Sequence, residues 1–275
     1  MALRGVTRKA VARPIVNSVR GLQNYDRYFI VVEDETDCSK PFQRRSPSFM
    51  QIRMLCNGER LSDYARNIEG LLKNWLSIQI YIAKGLALLH SNGLVHGDIR
   101  CVNILISDSR PYIINFQHGF TLKDATYTDL DFMPENNNYA PELDYAAGFT
   151  NGLNSDSIIQ TIFEKKHILE EIDEVFARSL SAEALFKRFV AVNAPEQVLQ
   201  KYGFCSDMWS LGYELYTLYK RMISSSYVVN SSFYRQCHRD QMRILGGLLH
   251  PDPRQRLTAD MLLTELFTIK MDFNE

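Results

Sequence analysis

Asp98 and Asn103 stand five positions apart in "LVHGDIRCVNILI", and their types and spacing suit phosphate chemistry. An Asp on a loop can orient an attacking hydroxyl and accept its proton, while an Asn five residues on can hold a metal bound to phosphates. By itself the pattern reads equally well as a polar loop between a helix and a strand. The choice rests on the elements around it.

Residues 71–93, "LLKNWLSIQIYIAKGLALLHSNG", carry apolar side chains at helical spacing on nearly every side and close on Asn-Gly, which predicts a buried helix. After the candidate loop, "NILI" and "YIIN" flank the polar turn "SDSRP" and predict a short hairpin or two small strands. Upstream, "RYFIVVEDE" (27–35) and "FMQIRML" (49–55) read as strands joined by a polar, proline-containing loop. Residues 118–139 read as irregular and polar, and residues 155–199 return to helical character. Helices are expected over 206–222, 238–250 and 258–267, with Ser206 and Thr258 as N-caps. Strands therefore concentrate before residue 70 and helices after it, an α+β arrangement.

The chain's 275 residues suffice for one large domain or two modest ones, and 45% hydrophobic with 23% charged residues is ordinary for a globular protein. A formal net charge of -1 provides no whole-domain field for nucleic acid or acidic lipid, so no nucleic acid is expected as a partner. No run reaches the length of a transmembrane span. Cys38, Cys56, Cys101, Cys205 and Cys237 are scattered without a C-x-x-C pair, which argues against structural zinc or a disulfide framework and for a reducing compartment, the cytoplasm by default. The first twenty residues carry Arg4, Arg8, Lys9, Arg13 and Arg20 with no acid, as a targeting or membrane-surface helix would. They lack a signal-peptide apolar core, and a surface helix packing its apolar side on the domain is the expectation.

Four further motifs follow in order. Asn115-Phe116-Gln117 lies at a strand end, Ala140-Pro141-Glu142 follows an irregular loop, "SDMWSLG" holds Asp207 through Gly212, and "PDPRQRLTADMLL" holds Arg256 before the last helix. With His96-Gly97-Asp98 and Asn103, this set resembles the C-terminal lobe of eukaryotic-type protein kinases over about residues 50–270. The resemblance implies a protein-kinase-like fold with a mostly helical C-terminal lobe (57–275, insert about 150–200) and a small, truncated N-terminal β lobe (1–56). It also implies Asp98 as catalytic base and Asn103 as metal ligand, with Arg100 where a lysine steadies the transferred phosphoryl group. Glu142 and Arg256 would be the ion pair bracing the lobe, and Asp207 the support of the catalytic loop. The stretch "GLQNYDRYFIVVEDETDC" and the long gap between Glu142 and Asp207, filled by helical residues 155–199, resemble kinase-like proteins of large DNA viruses. That resemblance would place the chain in host cytoplasm or virion.

The chain departs from the family's pattern where phosphate is handled. Asn115-Phe116-Gln117 stands where the family has Asp-Phe-Gly, so the position holding Mg²⁺ keeps an oxygen and loses its charge. The nucleotide-binding Lys would fall near residue 4, where the chain reads Met-Ala-Leu-Arg, and Lys9 in "TRKAVA" matches the strand motif only loosely. Residues 13–23, "RPIVNSVRGLQ", stand where a helix should supply a Glu and hold no acid. Gly97 replaces the Arg that pairs with a phosphorylated activation loop, so no such switch is expected.

These departures imply a kinase-like domain impaired in catalysis that acts by binding another protein. The first alternative is an active Ser/Thr kinase using ATP and Mg²⁺ on a protein substrate, with Asp98 and Arg100 catalytic and Asn103 and Asn115 holding the metal-bound nucleotide. A more distant one is a small-molecule phosphotransferase, since His-Gly-Asp with a later Asn also resembles aminoglycoside and choline kinases. In the impaired reading no cofactor is required.

Overall fold

The computed structural model describes residues 15–31, 58–123, 130–176 and 178–274. The expected strand over 49–55, the polar loop before it, and the basic positions up to Arg13 lie outside the described residues.

Residues 15–20 are helical, with Ile15 and Val19 buried in the core, so the described end of the basic segment packs its apolar side on the domain. β1 (Glu59–Arg60) and α1 (Leu61–Tyr64) then lead into α2 (Ile68–Ser91). The Asn67 side chain caps α2 by accepting the Gly70 N–H at 3.0 Å. Leu71, Trp75, Ile78, Ile82, Leu86 and Leu89 bury one face of α2, and Ile80 and Ala83 bury part of another, as a helix enclosed on most sides must. Asn92-Gly93 ends it, with Gly93 at φ 70.

Beyond α2 come β2 (Leu94–Val95), the candidate loop, β3 (Ile104–Ser107), β4 (Arg110–Ile113) and β5 (Phe120–Thr121). β1, β3 and β4 form one antiparallel sheet in that order, and β2 pairs with β5. The β3–β4 hairpin turns on Asp108 and Ser109, both at positive φ, as a two-residue turn of the I′ kind demands. Upstream, the described part of the expected 27–35 strand makes a single parallel bridge, Phe29 to Ile113.

The remainder is helical: α3 (Pro141–Thr150), α4 (Ser155–Lys165), α5 (His167–Phe176), α6 (Ala182–Val190), α7 (Pro195–Ile223), α8 (Ser226–Val229), α9 (Ser232–Leu248) and α10 (Ala259–Asn274). α10 lies along α2, α3 packs on α7, and α9 packs on both α7 and α10, so α2 and α7 form the centre of the helical part.

Two helix starts differ from the sequence reading. Ser206 is not an N-cap: α7 begins eleven residues earlier, at Pro195, which occupies the first turn where its missing N–H costs nothing. Ser206 sits inside α7, and its hydroxyl donates to the Gly203 carbonyl at 2.6 Å. α9 starts at Ser232 rather than 238, capped by Ser231, whose Oγ accepts the Tyr234 N–H at 3.1 Å. Thr258 does act at the start of α10, accepting the Met261 N–H at 3.2 Å. Cys101, Cys205 and Cys237 are free, buried thiols.

Candidate functional site

The register of the β3–β4 hairpin brings the candidate amides together. Ile104 pairs with Ile113, so the chain on either side of that pair converges, and the Ile114 N–H donates to the Asn103 carbonyl at 2.9 Å. Asn115 follows at φ 67, ψ 70, a left-handed conformation that Asn accepts more readily than most residues. A slip in the strand pairing would part Asn103 from Asn115, because alternate positions face opposite sides of the sheet.

Asp98, Asn103 and Asn115 form one hydrogen-bonded chain. Asn103 Nδ2 donates to Asp98 Oδ2 at 2.7 Å and to the Asp98 carbonyl at 2.9 Å. Asn115 Nδ2 donates to Asn103 Oδ1 at 3.1 Å. Asp98 and Asn115 are partly exposed and Asn103 is buried. Arg100, the cation within the loop itself, is exposed.

The loop carrying Asp98 is held from below by Asp207 of α7. Asp207 Oδ2 accepts the His96 N–H and Oδ1 accepts the Gly97 N–H, both at 2.8 Å, and His90 Nε2 lies 3.0 Å from Oδ2. His96 is fully buried, and burial pushes its imidazole pKa below the usual histidine value despite the opposing charges of Asp207 and Asp98. Its Nδ1 accepts the Asp98 N–H at 3.2 Å and its Nε2 faces the Ile114 carbonyl at 2.9 Å, a pattern that fits the neutral ring protonated on Nε2. Further along, the Cys101 N–H donates to Glu214 Oε2 at 2.9 Å.

Glu142 and Arg256 meet as a buried ion pair, at 2.5 Å from Nη1 to Oε1 and 3.1 Å from Nη2 to Oε2. Arg256 also donates to the Cys205 and His250 carbonyls at 2.8 and 3.0 Å, which ties the start of α10 to α3 and α7.

Several residues in and around the site carry no recognisable signal in the sequence. Asn138, Asp144, Lys166 and Glu214 are polar residues in a polar loop or in helices with mixed charge, and only the fold buries Asn138, Asp144 and Lys166. Lys166 is the sharpest case. It lies in "FEKKH", where a charged pair reads as solvated surface, yet its side chain has 0% exposure.

The donor set fits a hard divalent ion poorly. Asp98 supplies one carboxylate, and the other two positions are amides that bring oxygens without charge and engage each other at 3.1 Å. Among the described residues no group of three or more His, Cys, Asp or Glu could hold a metal ion. No described helix is long and apolar enough to cross a membrane.

The family model for protein tyrosine and serine/threonine kinase matches residues 38–129, the stretch that includes Asp98, Asn103 and Asn115. No curated protein matches the chain. The match and the small antiparallel sheet beside a large helical part agree on a protein-kinase-like α+β fold.

Proposed function

We propose that the chain is a kinase-like binding protein impaired in phosphotransfer. The observation that carries this reading is the make-up of the hydrogen-bonded chain Asp98–Asn103–Asn115, in which Asp98 is the one carboxylate and Asn115, at 3.1 Å from Asn103, supplies a neutral amide. Turning the Asn115 amide over would set two oxygens against each other, an arrangement favourable only with a cation between them. A single carboxylate then faces the charge of Mg²⁺ and a triphosphate, and charge neutralisation there is the larger part of what a kinase supplies. Under this reading Arg100 and Asn103 are retained without a metal-bound nucleotide to act on.

The partner is a protein. Leu153, Val175, Leu180 and Val192 keep between 37% and 68% of their surface exposed along the helical insert, which gives this part of the chain apolar contact area.

An active Ser/Thr kinase using ATP and Mg²⁺ is the second reading. It is favoured by the intact bracing of the Asp98 loop on Asp207, which holds a base where a substrate hydroxyl could reach it.

A thermal-shift titration with ATP, with and without Mg²⁺ or Mn²⁺, separates the two. A site filled at a hundredfold its Kd stabilises the fold by about 2.7 kcal/mol, a readily measured rise in Tm. The parent chain is expected to show no metal-dependent rise, and Asn115→Asp to gain one, since Asp also tolerates the left-handed backbone at this position. A metal-dependent rise in the parent, abolished in Asp98→Asn, would overturn the impaired reading.

A further inference from the structure

The segment 133–139, just ahead of Ala140-Pro141-Glu142, is tied to the rest of the fold at Met133 and at each of residues 136–139. The Met133 N–H donates to Asp144 Oδ1 at 2.8 Å, Trp209 Nε1 to the Asn137 carbonyl at 3.0 Å, and Ser210 Oγ to the Asn138 carbonyl at 2.8 Å. The insert adds the remaining ties. Lys166, in the break between α4 and α5, donates to the Asn136 carbonyl at 2.6 Å and the Tyr139 carbonyl at 2.9 Å, and lies 2.9 Å from Asp144 Oδ2. The neighbouring Ile168 N–H donates to Asn137 Oδ1 at 3.1 Å.

The same segment touches the candidate site. Asn138 is 6% exposed, and its Nδ2 donates to the Ile99 carbonyl at 3.1 Å, to Glu214 Oε1 at 3.0 Å and to the Ser210 carbonyl at 3.3 Å. Ile99 adjoins Asp98, and Glu214 also accepts the Cys101 N–H. A continuous set of contacts thus runs from Lys166 through the 136–139 backbone and Asn138 to Ile99, next to Asp98, and through Glu214 to Cys101 on the far side of Arg100.

We infer that Lys166 is a positioning residue, through which the helical insert holds segment 133–139, and with it the Asp98 loop, in one arrangement without a phosphate. A phosphate-responsive loop needs a cation that the phosphate can recruit. Lys166 is not open to such recruitment, since it is buried and enclosed by two carbonyls and a carboxylate of its own chain. The place where the resemblance would put an arginine is closed as well, because a Cβ on Gly97 would lie 2.4 Å from the His118 carbonyl oxygen. The inference rests on the Asp98 loop being the working surface, whether that surface binds or catalyses.

Hydrogen exchange on the full chain tests this without needing nucleotide or partner. Lys166→Met alone would leave Asp144 buried and unpaired and could unfold the chain, so the informative variant is Lys166→Met with Asp144→Asn, which removes both charges and keeps the oxygen that accepts Met133. Leu262→Ala, a buried position of α10, serves as a control for general destabilisation. In the double variant, peptides covering 133–139 and 96–103 should exchange faster than in the control by at least about tenfold, the low end of what losing a hydrogen bond to a charged group costs. Acceleration confined to 155–176, or spread evenly as in Leu262→Ala, would overturn the inference. So would a phosphatase treatment of the parent that accelerates 133–139. These readouts stand whether or not the ATP titration shows a nucleotide site, so failure of one is distinguishable from failure of the other.

Discussion

At the scale of single residues, Gly97 shows how a substitution in a familiar pattern can be imposed by its neighbours. Its φ of 75 is open to glycine, and the His118 carbonyl fills the space where a side chain would begin. The residue is therefore matched to a chain path in which the strand pair β2–β5 draws residues 118–119 over the loop. Gly97→Ala is expected to lower stability by about 2 kcal/mol or more, from the left-handed backbone together with displacement of the 118 carbonyl. Urea unfolding of the two proteins would measure it, and a loss below about 0.5 kcal/mol, the range of ordinary surface changes, would show that the loop relaxes freely. That Asp98, Asn103 and Asn115 lie together was legible in the sequence because their spacing is local: they occupy one loop and one hairpin. What their amides do to each other was not legible. Whether Asn115 offers its oxygen or its N–H to Asn103 depends on a rotation that spacing does not encode.

At the scale of elements, the buried helix and the hairpin were readable because periodicity and turn chemistry agree with their final environment. Helix starts were less so. Ser206 precedes an apolar run and reads as a cap, but helical packing continues upstream through Val198 and Leu199, both buried, so tertiary contact extends α7 back to Pro195. Ser231, in a run of small polar residues, caps α9 and also donates to the Val228 carbonyl at 2.6 Å. The pair makes a clean comparison. Ser231→Ala should cost about 1 kcal/mol through loss of the cap. Ser206→Ala should cost about 0.5 kcal/mol or less, because alanine's helix propensity offsets the lost hydroxyl bond and the Gly203 carbonyl keeps its helical environment. Equal costs in chemical denaturation, or a larger one at Ser206, would contradict this placement of the helix start.

At the scale of the whole molecule, the fold is held by polar groups that it has buried, and this makes its stability depend on pH in a definite direction. Burial lowers the pKa of His96, His238 and His250 below the ordinary histidine value. The unfolded chain then binds protons that the folded chain refuses, so stability present above about pH 6.5 is lost as pH falls toward the folded values. Asp144 acts the other way. Burial raises its carboxyl to about 6 against the pull of Lys166, so the folded chain gains a proton there first and regains some stability as pH drops through 6. Between pH 7 and 5.5 the histidines withdraw stability while Asp144 returns some of it. With three histidines against one carboxyl, the parent should lose stability over this window. His96 should contribute most distinctly, since protonating Nδ1 would also remove the acceptor of the Asp98 N–H. Urea unfolding at pH 7 and 5.5 should show a smaller loss for His96→Gln than for the parent. An identical loss in both would mean that His96 takes up a proton as readily in the folded loop as in the unfolded chain, and burial could not then be holding the ring neutral.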